Sequence, residues 1–139
     1  MVYRCSKIFQ GYSTCFRQWR ATSHCRFLHG YSFKFKATFE GDLDDRNWVM
    51  DFGSFQLIKE KLNQIFDHTT IIASDDPELE RFQILHQDGI IDLRTMENVG
   101  CEMFAKVVFD ILQDLDTARA RVISVECIEN DTNVASYGL

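Results

Sequence analysis

The sequence predicts an α+β domain, an antiparallel sheet with helices on one face, and three observations carry that prediction. Strict two-residue alternation runs from Leu28 to Glu40, apolar residues recur at helical spacing in two middle segments, and alternation returns from Arg121 to the end. Strands at both ends with helices between them form the pattern of a segregated α+β unit. A length of 139 residues, 45% hydrophobic and 13% aromatic with twelve phenylalanines, suits one domain over 1–139 and excludes disorder or a collagen-like fibre. Pro77 is the only proline, and seven glycines leave no flexible linker.

The elements follow in order. Val2 to about Tyr12 is rich in aromatic and β-branched residues and is placed to pair with the alternating strand. Cys15 to Phe27, CFRQWRATSHCRF, reads as a basic and aromatic loop between the two. In Leu28–Glu40, His29, Tyr31, Phe33, Phe35, Ala37 and Phe39 face one side, with Ser32, Lys34, Lys36, Thr38 and Glu40 on the other. GDLDDRN is a turn. Ser54 is an expected N-cap for a helix over 55–66, whose stripe is Phe55, Ile58, Leu62, Ile65 and Phe66.

Within Thr69–Met96, Pro77 opens a short helix with Leu79, Phe82 and Leu85 on one face; Gly89 stops it, and Ile90–Leu93 is extended. Val99, Met103, Val107, Ile111 and Leu115 mark a second long helix. Arg121–Glu129 is a strand with Ile123, Val125 and Cys127 inward, Asn130–Asn133 a turn, and Val134–Tyr137 a last strand. The order β-β-α-(insert)-α-β-β gives a four-stranded antiparallel sheet. Its two open edges would be buried by oligomerisation.

Charge and cysteines narrow the function. Fifteen basic against 21 acidic residues give a net charge of −6, the reverse of a general nucleic-acid binder, so no nucleic-acid partner is expected. The opening MVYRCSKIFQ lacks a continuous apolar stretch, and no run approaches the roughly 20 apolar residues of a membrane span. A cytoplasmic protein without a membrane partner is the expectation. Cys5, Cys15, Cys25, Cys101 and Cys127, odd in number and widely spaced, read as reduced thiols.

Four groups of residues are candidates for chemistry. Cys25 and His29 stand just before and at the start of the alternating strand; His29 is either a core histidine or a metal ligand, and Cys25 either packing or an activated thiol. Asp67-His68 closes a helix, as an acid–imidazole pair or as a cation at the helix C-terminus. Glu129 follows a buried strand, where a ligand with two adjacent N–H groups would satisfy a carboxylate. Arg17, Arg20 and Arg26 cluster around Cys25 in an otherwise acidic chain, either solvated or holding an anion.

In combination these residues resemble the 6-pyruvoyltetrahydropterin synthase family, which includes bacterial 6-carboxytetrahydropterin synthase of the queuosine pathway. The resemblance rests on Cys25-Arg-Phe-Leu-His29-Gly30-Tyr31, on Val49-Met-Asp-Phe-Gly53, on Asp67-His68, on the helix led by Glu102, and on Val125 to Glu129 followed by Tyr137. It implies the tunnelling fold, in which three subunits close their sheets into a β-barrel, two trimers stack into a hexamer, and active sites lie between subunits. It implies a carbon–oxygen lyase acting on 7,8-dihydroneopterin triphosphate with loss of triphosphate. Cys25, Asp67 and His68 match the catalytic residues, Glu129 the pterin anchor, and Glu102 a further family glutamate; Arg17, Arg20 and Arg26 are placed to meet the triphosphate. His29 matches the first histidine of the His-Gly-His zinc motif, but Tyr31 stands at the second, and Ser13, Thr14 or Cys15 occupies the place of the earlier zinc histidine. A rebuilt zinc site would use His29 with Cys15 or His24; the alternatives are chemistry without metal and a pterin-binding protein that has lost it.

Overall fold

A computed structural model gives the structure of residues 2–139. Strand β1 (Tyr3–Phe16) and strand β2 (His29–Gly41) pair antiparallel, and helix α1 (Gln56–Phe66) follows. Then come β3 (Thr69–Ala73), α2 (Leu79–Gln87), β4 (Leu93–Met96), α3 (Cys101–Leu112), β5 (Ala120–Ile128) and β6 (Val134–Gly138). The sheet order is β4-β3-β1-β2-β5-β6. The four strands expected from the sequence form its antiparallel part, β1-β2-β5-β6, and β3 and β4 extend it as parallel strands beyond β1.

The sheet is therefore six-stranded and mixed, not four-stranded and antiparallel. The correction falls in 69–96. Thr69–Ala73 is buried at every position, and a strand covered on both faces carries no alternation to read. The short extended piece lies at Leu93–Met96, slightly later than expected, where β4 pairs with β3. Helix α2 forms where Pro77 suggested it, with Leu79, Phe82 and Leu85 half-buried. The first strand also runs four residues beyond Tyr12, so Cys15 and Phe16 belong to β1 and not to the loop.

Phenylalanine builds the core: nine of the twelve are buried. Phe33, Phe35, Phe66 and Phe104 meet at centroid distances from 5.0 to 5.9 Å, joining β2, α1 and α3. Helix α1 buries Ile58, Leu62 and Phe66, one residue per turn on one side. Its entry differs from expectation. Asp51, not Ser54, caps the 3-10 turn at Phe52–Phe55 by accepting the Gly53 N–H at 2.9 Å, and the turn runs straight into α1.

Two bulges set which side chains face the core. In β1, Gln10 and Gly11 oppose Lys34 alone, so Phe9 and Tyr12 both point inward; Gly11 takes φ +95°, which a residue with a Cβ adopts only under strain. In β5, Ile123 is the extra residue between Val122, which pairs with Phe39, and Ser124, which pairs with Thr38. Ala120 and Val122 are buried before it, Val125 and Cys127 after it. Val122 thus takes the inward place expected of Ile123. Gly41 at the end of β2 has a different constraint: a Cβ there would stand 2.2 Å from the Arg119 carbonyl oxygen.

The sheet face opposite α1 and α3 is polar. Ser6 and Thr38 share a hydrogen bond of 3.0 Å, and Glu40 meets Arg4 and Arg121 at 3.5 and 3.1 Å.

Candidate functional site

Glu129 lies just past β5, in step with the buried Val125 and Cys127, so it turns to the helix side of the sheet. There it lines a cleft of about 310 Å³ with Glu102 and Cys101 from the first turn of α3, Phe16, Gln18, Tyr31 and the Thr132–Ala135 segment. The segment is shaped by Asn130, whose side-chain oxygen accepts from the N–H groups of Thr132 (3.0 Å) and Asn133 (2.8 Å). The result is a pocket with two carboxylates over an aromatic floor, where Tyr31 stacks on Phe16 at 3.9 Å and 14°.

Burial, followed by the nearby Cys25, Glu129, Cys101 and Cys15, pushes the Tyr31 phenol up to about 12. The neighbouring Cys127 thiol lowers Cys101 against the effect of burial, and the same pairing combines with burial to raise Cys127 far above the ordinary thiol value. Glu129 and Glu102 are legible in the sequence as site residues, whereas Gln18, Cys101, Thr132 and Asn133, which line the same cleft, are not. The Asn-Asp-Thr-Asn turn beside Glu129 was the available signal for the last two; Gln18 carried none.

Cys25 sits in a 3-10 turn at His24–Arg26, capped by Ser23 and tied to the end of β1 by a 2.9 Å bond from Gln18 N–H to the Cys25 carbonyl. His29 opens β2. Its Nε2 is 2.7 Å from the Tyr31 hydroxyl and its Nδ1 is 3.2 Å from the Gly30 carbonyl oxygen.

Asp67 and His68 stand apart from this cleft, and His68 lines a separate depression. They form the corner between α1 and β3, where His68 adopts φ +58°, an uncommon conformation for a residue other than glycine. The corner is fastened to β1: the His68 N–H donates to the Ser13 carbonyl at 2.6 Å, and the Ser13 N–H donates to Asp67 Oδ1 at 3.1 Å. Asp67 Oδ2 lies 3.0 Å from His68 Nδ1, orienting the ring, whose side chain is 84% exposed. The Ser13 hydrogen bond, helped by His68, holds the Asp67 carboxyl below its ordinary value against the opposing effect of burial. This depression, also lined by Cys15, Ser32 and Tyr31, is open and does not contain Glu129.

The structure gives two of the three arginines an acidic partner within the chain. Arg17 grips the buried Asp76 with Nε at 2.8 Å and Nη2 at 2.5 Å. Arg20 meets Asp75 at 2.8 Å. Arg26 is exposed and stacks 4.4 Å over Phe27.

Nor are the three expected metal ligands assembled. Cys15 alternates with the buried Thr14 and Phe16, so it faces the opposite side of the sheet from Tyr31 and His29. His24 and His29 have ring centroids 6.5 Å apart. Among the described residues no three His, Cys, Asp or Glu side chains group as metal ligands would. The Nε2 atom of His29 lies 2.7 Å from the Tyr31 hydroxyl, where the histidine motif would put a second imidazole. A zinc ion held by a set of histidines does not fit these residues.

A family model described as 6-pyruvoyl tetrahydropterin synthase matches residues 5–138. No curated protein matches the sequence. Among solved structures, the chain is similar to an uncharacterized protein of Wolinella succinogenes, at 21% identity over 99% of this chain and 98% of that one, with a TM-score of 0.86. It is similar to the 6-pyruvoyl tetrahydropterin synthase of Caenorhabditis elegans at 15% identity, 100% and 96% coverage and a TM-score of 0.70. The Plasmodium falciparum enzyme gives 14%, 98% and 96%, and 0.71. These likenesses show a shared fold, the α+β tunnelling fold.

Proposed function

The chain belongs to the 6-pyruvoyl tetrahydropterin synthase family, and from that premise we propose that it is a pterin-processing lyase whose ligand sits in the cleft at Glu129. The observation that carries this reading is the cleft itself: a carboxylate beside stacked Phe16 and Tyr31 suits a flat heterocycle with an amino-pyrimidinone edge. Two parallel N–H donors on that edge match the two oxygens of Glu129, and the ring gains aromatic contact. The substrate is 7,8-dihydroneopterin triphosphate, which loses triphosphate to give a tetrahydropterin. The Cys25-x3-His29-Gly30 spacing favours the 6-carboxytetrahydropterin product of the queuosine branch, in which a carbon fragment of the side chain leaves as well as the triphosphate.

In this reading Cys25 takes the proton from the pterin side chain, and Asp67 orients His68 for the second proton transfer. The exposed His68 ring, fixed on one side by Asp67, is available to a neighbouring copy. A homo-oligomer, trimer or hexamer, would bring the Asp67–His68 corner of one subunit to the Glu129 cleft of another. Arg17 contributes no free charge to the triphosphate, since its fork is held by Asp76; Arg26 and a neighbouring copy's side chains would meet it.

The second reading is a pterin-binding protein without turnover. The Tyr31–His29 hydrogen bond favours it, because it stands where the family's lyases have zinc ligands. One experiment separates the two. Incubation with 7,8-dihydroneopterin triphosphate, with products followed by chromatography, should show triphosphate release that Cys25→Ala abolishes. Pterin binding without turnover, lost in Glu129→Gln, selects the second reading. Neither binding nor turnover refutes both.

A further inference from the structure

His29 and Tyr31 are a finished hydrogen-bonded unit with Tyr31 on the cleft, and the unit dictates what it can receive. The Gly30 carbonyl oxygen, 3.2 Å from His29 Nδ1, can only accept, so in the neutral imidazole Nδ1 carries the hydrogen and Nε2 presents its lone pair. The Tyr31 hydroxyl, 2.7 Å from Nε2, therefore donates to it. The lone pair that a metal ion would use is taken. The phenol ring cannot swing away easily, being stacked on Phe16 at 3.9 Å and lying 4.1 Å from the imidazole.

With its only hydrogen committed to His29, Tyr31 Oη offers the cleft lone pairs alone. A ligand hydroxyl arriving there must donate, and the resulting O–H···O–H···N chain is polarised along its length. We infer that the His29–Tyr31 pair is a hydroxyl-binding site, with Tyr31 Oη accepting a hydrogen bond from the hydroxylated side chain of the ligand, and that this chain keeps no zinc ion at that place. The assignment rests on the pterin reading of the cleft: the heterocycle edge lies on Glu129 and the polyol side chain reaches Tyr31, which lines the same cleft.

Three measurements on the full-length protein decide this. The first is zinc content by plasma mass spectrometry, after expression with added zinc and dialysis. The second and third are affinities, by fluorescence, for neopterin, which carries a trihydroxypropyl chain, and for unsubstituted pterin, which carries none. The expected results are zinc well below one per chain and no effect of chelator on either affinity. Tyr31→Phe, which keeps the stacked ring, should weaken neopterin roughly three- to tenfold, the worth of one neutral hydrogen bond, while leaving pterin unchanged. If that variant does not fold, His29→Ala supplies the same test, because it frees the Tyr31 hydrogen and should narrow the preference for neopterin over pterin. One zinc per chain, or equal loss of both ligands in Tyr31→Phe, overturns the inference. Failure of both ligands to bind, or no effect of Glu129→Gln on either, refutes the pterin reading and with it the hydroxyl assignment. The zinc measurement still judges the metal half in that case.

Discussion

Removing the guanidinium of Arg17 should cost this protein stability before it costs any ligand affinity. Asp76 is 4% exposed and its carboxylate accepts three hydrogen bonds: Arg17 Nε at 2.8 Å, Arg17 Nη2 at 2.5 Å and the Glu78 N–H at 2.9 Å. Arg17→Met keeps much of the apolar stem but removes the guanidinium, which lies 5.9 Å over Phe82, and leaves the carboxylate inside with one donor. Breaking one side of a buried pair costs about 3–5 kcal/mol. The Arg17 side chain is one-fifth exposed, so water relieves some of that, and the lower end, about 3 kcal/mol, is expected. For a domain of this size that is roughly 10 °C in Tm, compared at one protein concentration because subunit association also stabilises.

The pH dependence has a definite sign. Burial raises the Asp76 carboxyl, but the Arg17 hydrogen bonds, the Glu78 N–H and the Arg17 charge outweigh it and leave the group below its ordinary value. A depressed folded pKa contributes stability above the unfolded value, near about 3.9, and loses it as pH falls through the lower folded value. In Arg17→Met the unpaired carboxylate can escape its penalty by taking a proton, so the gap to wild type should narrow as pH falls from about 7 towards about 4. Urea denaturation at several pH values measures this. The double variant Arg17→Met/Asp76→Asn, with no stranded charge, should recover part of the loss. A loss below about 1 kcal/mol, the range of a solvated pair, refutes the reasoning. So does a double variant no more stable than Arg17→Met. Unchanged stability with weakened triphosphate binding would return Arg17 to the role its position in the sequence suggests.

Further outcomes follow from single contacts. His68→Gly should hold or raise Tm, because φ +58° costs glycine little, whereas His68→Val should lower stability by roughly 1–2 kcal/mol; turnover, where present, should fall in both. Gly41→Ala should destabilise by roughly 1–3 kcal/mol in urea denaturation, since its methyl would meet the Arg119 carbonyl at 2.2 Å. Cys127, fully buried with its thiol pushed up, should resist iodoacetamide in the folded protein and react once urea unfolds it, while the partly exposed Cys101 reacts first; peptide mass spectrometry distinguishes them.

The antiparallel half of the sheet and both long helices are readable because each has one wet face. Alternation in β2 and the four-residue spacing of Ile58, Leu62 and Phe66 record that asymmetry directly. Strand β3 is illegible for the converse reason: with every residue from Thr69 to Ala73 buried, burial leaves no period. At the site, Glu129 and Glu102 are legible as acidic residues closing or opening apolar elements. The pairing of Arg17 with Asp76 is not, because it joins residues 59 positions apart that only the β1–β3 pairing brings together. The His29–Tyr31 hydrogen bond lies between the two extremes. Alternation places both residues on one face, yet only coordinates show the hydroxyl turned towards the imidazole.

The β5 bulge has a consequence for comparing this chain with others. Seven residue steps separate Val122 from Glu129, an odd count in a structure that repeats every two. An unbroken strand would set Val122 and Glu129 on opposite faces; Ile123, standing outside the ladder, absorbs the odd step. A homologue one residue shorter here, with a regular strand, would aim its glutamate in the same direction. The correct alignment of two such chains therefore contains a one-residue gap at the bulge. An ungapped alignment anchored on Val122 would pair Glu129 with the residue after the other chain's glutamate, and the pocket's anchor would look lost where it had only been counted differently.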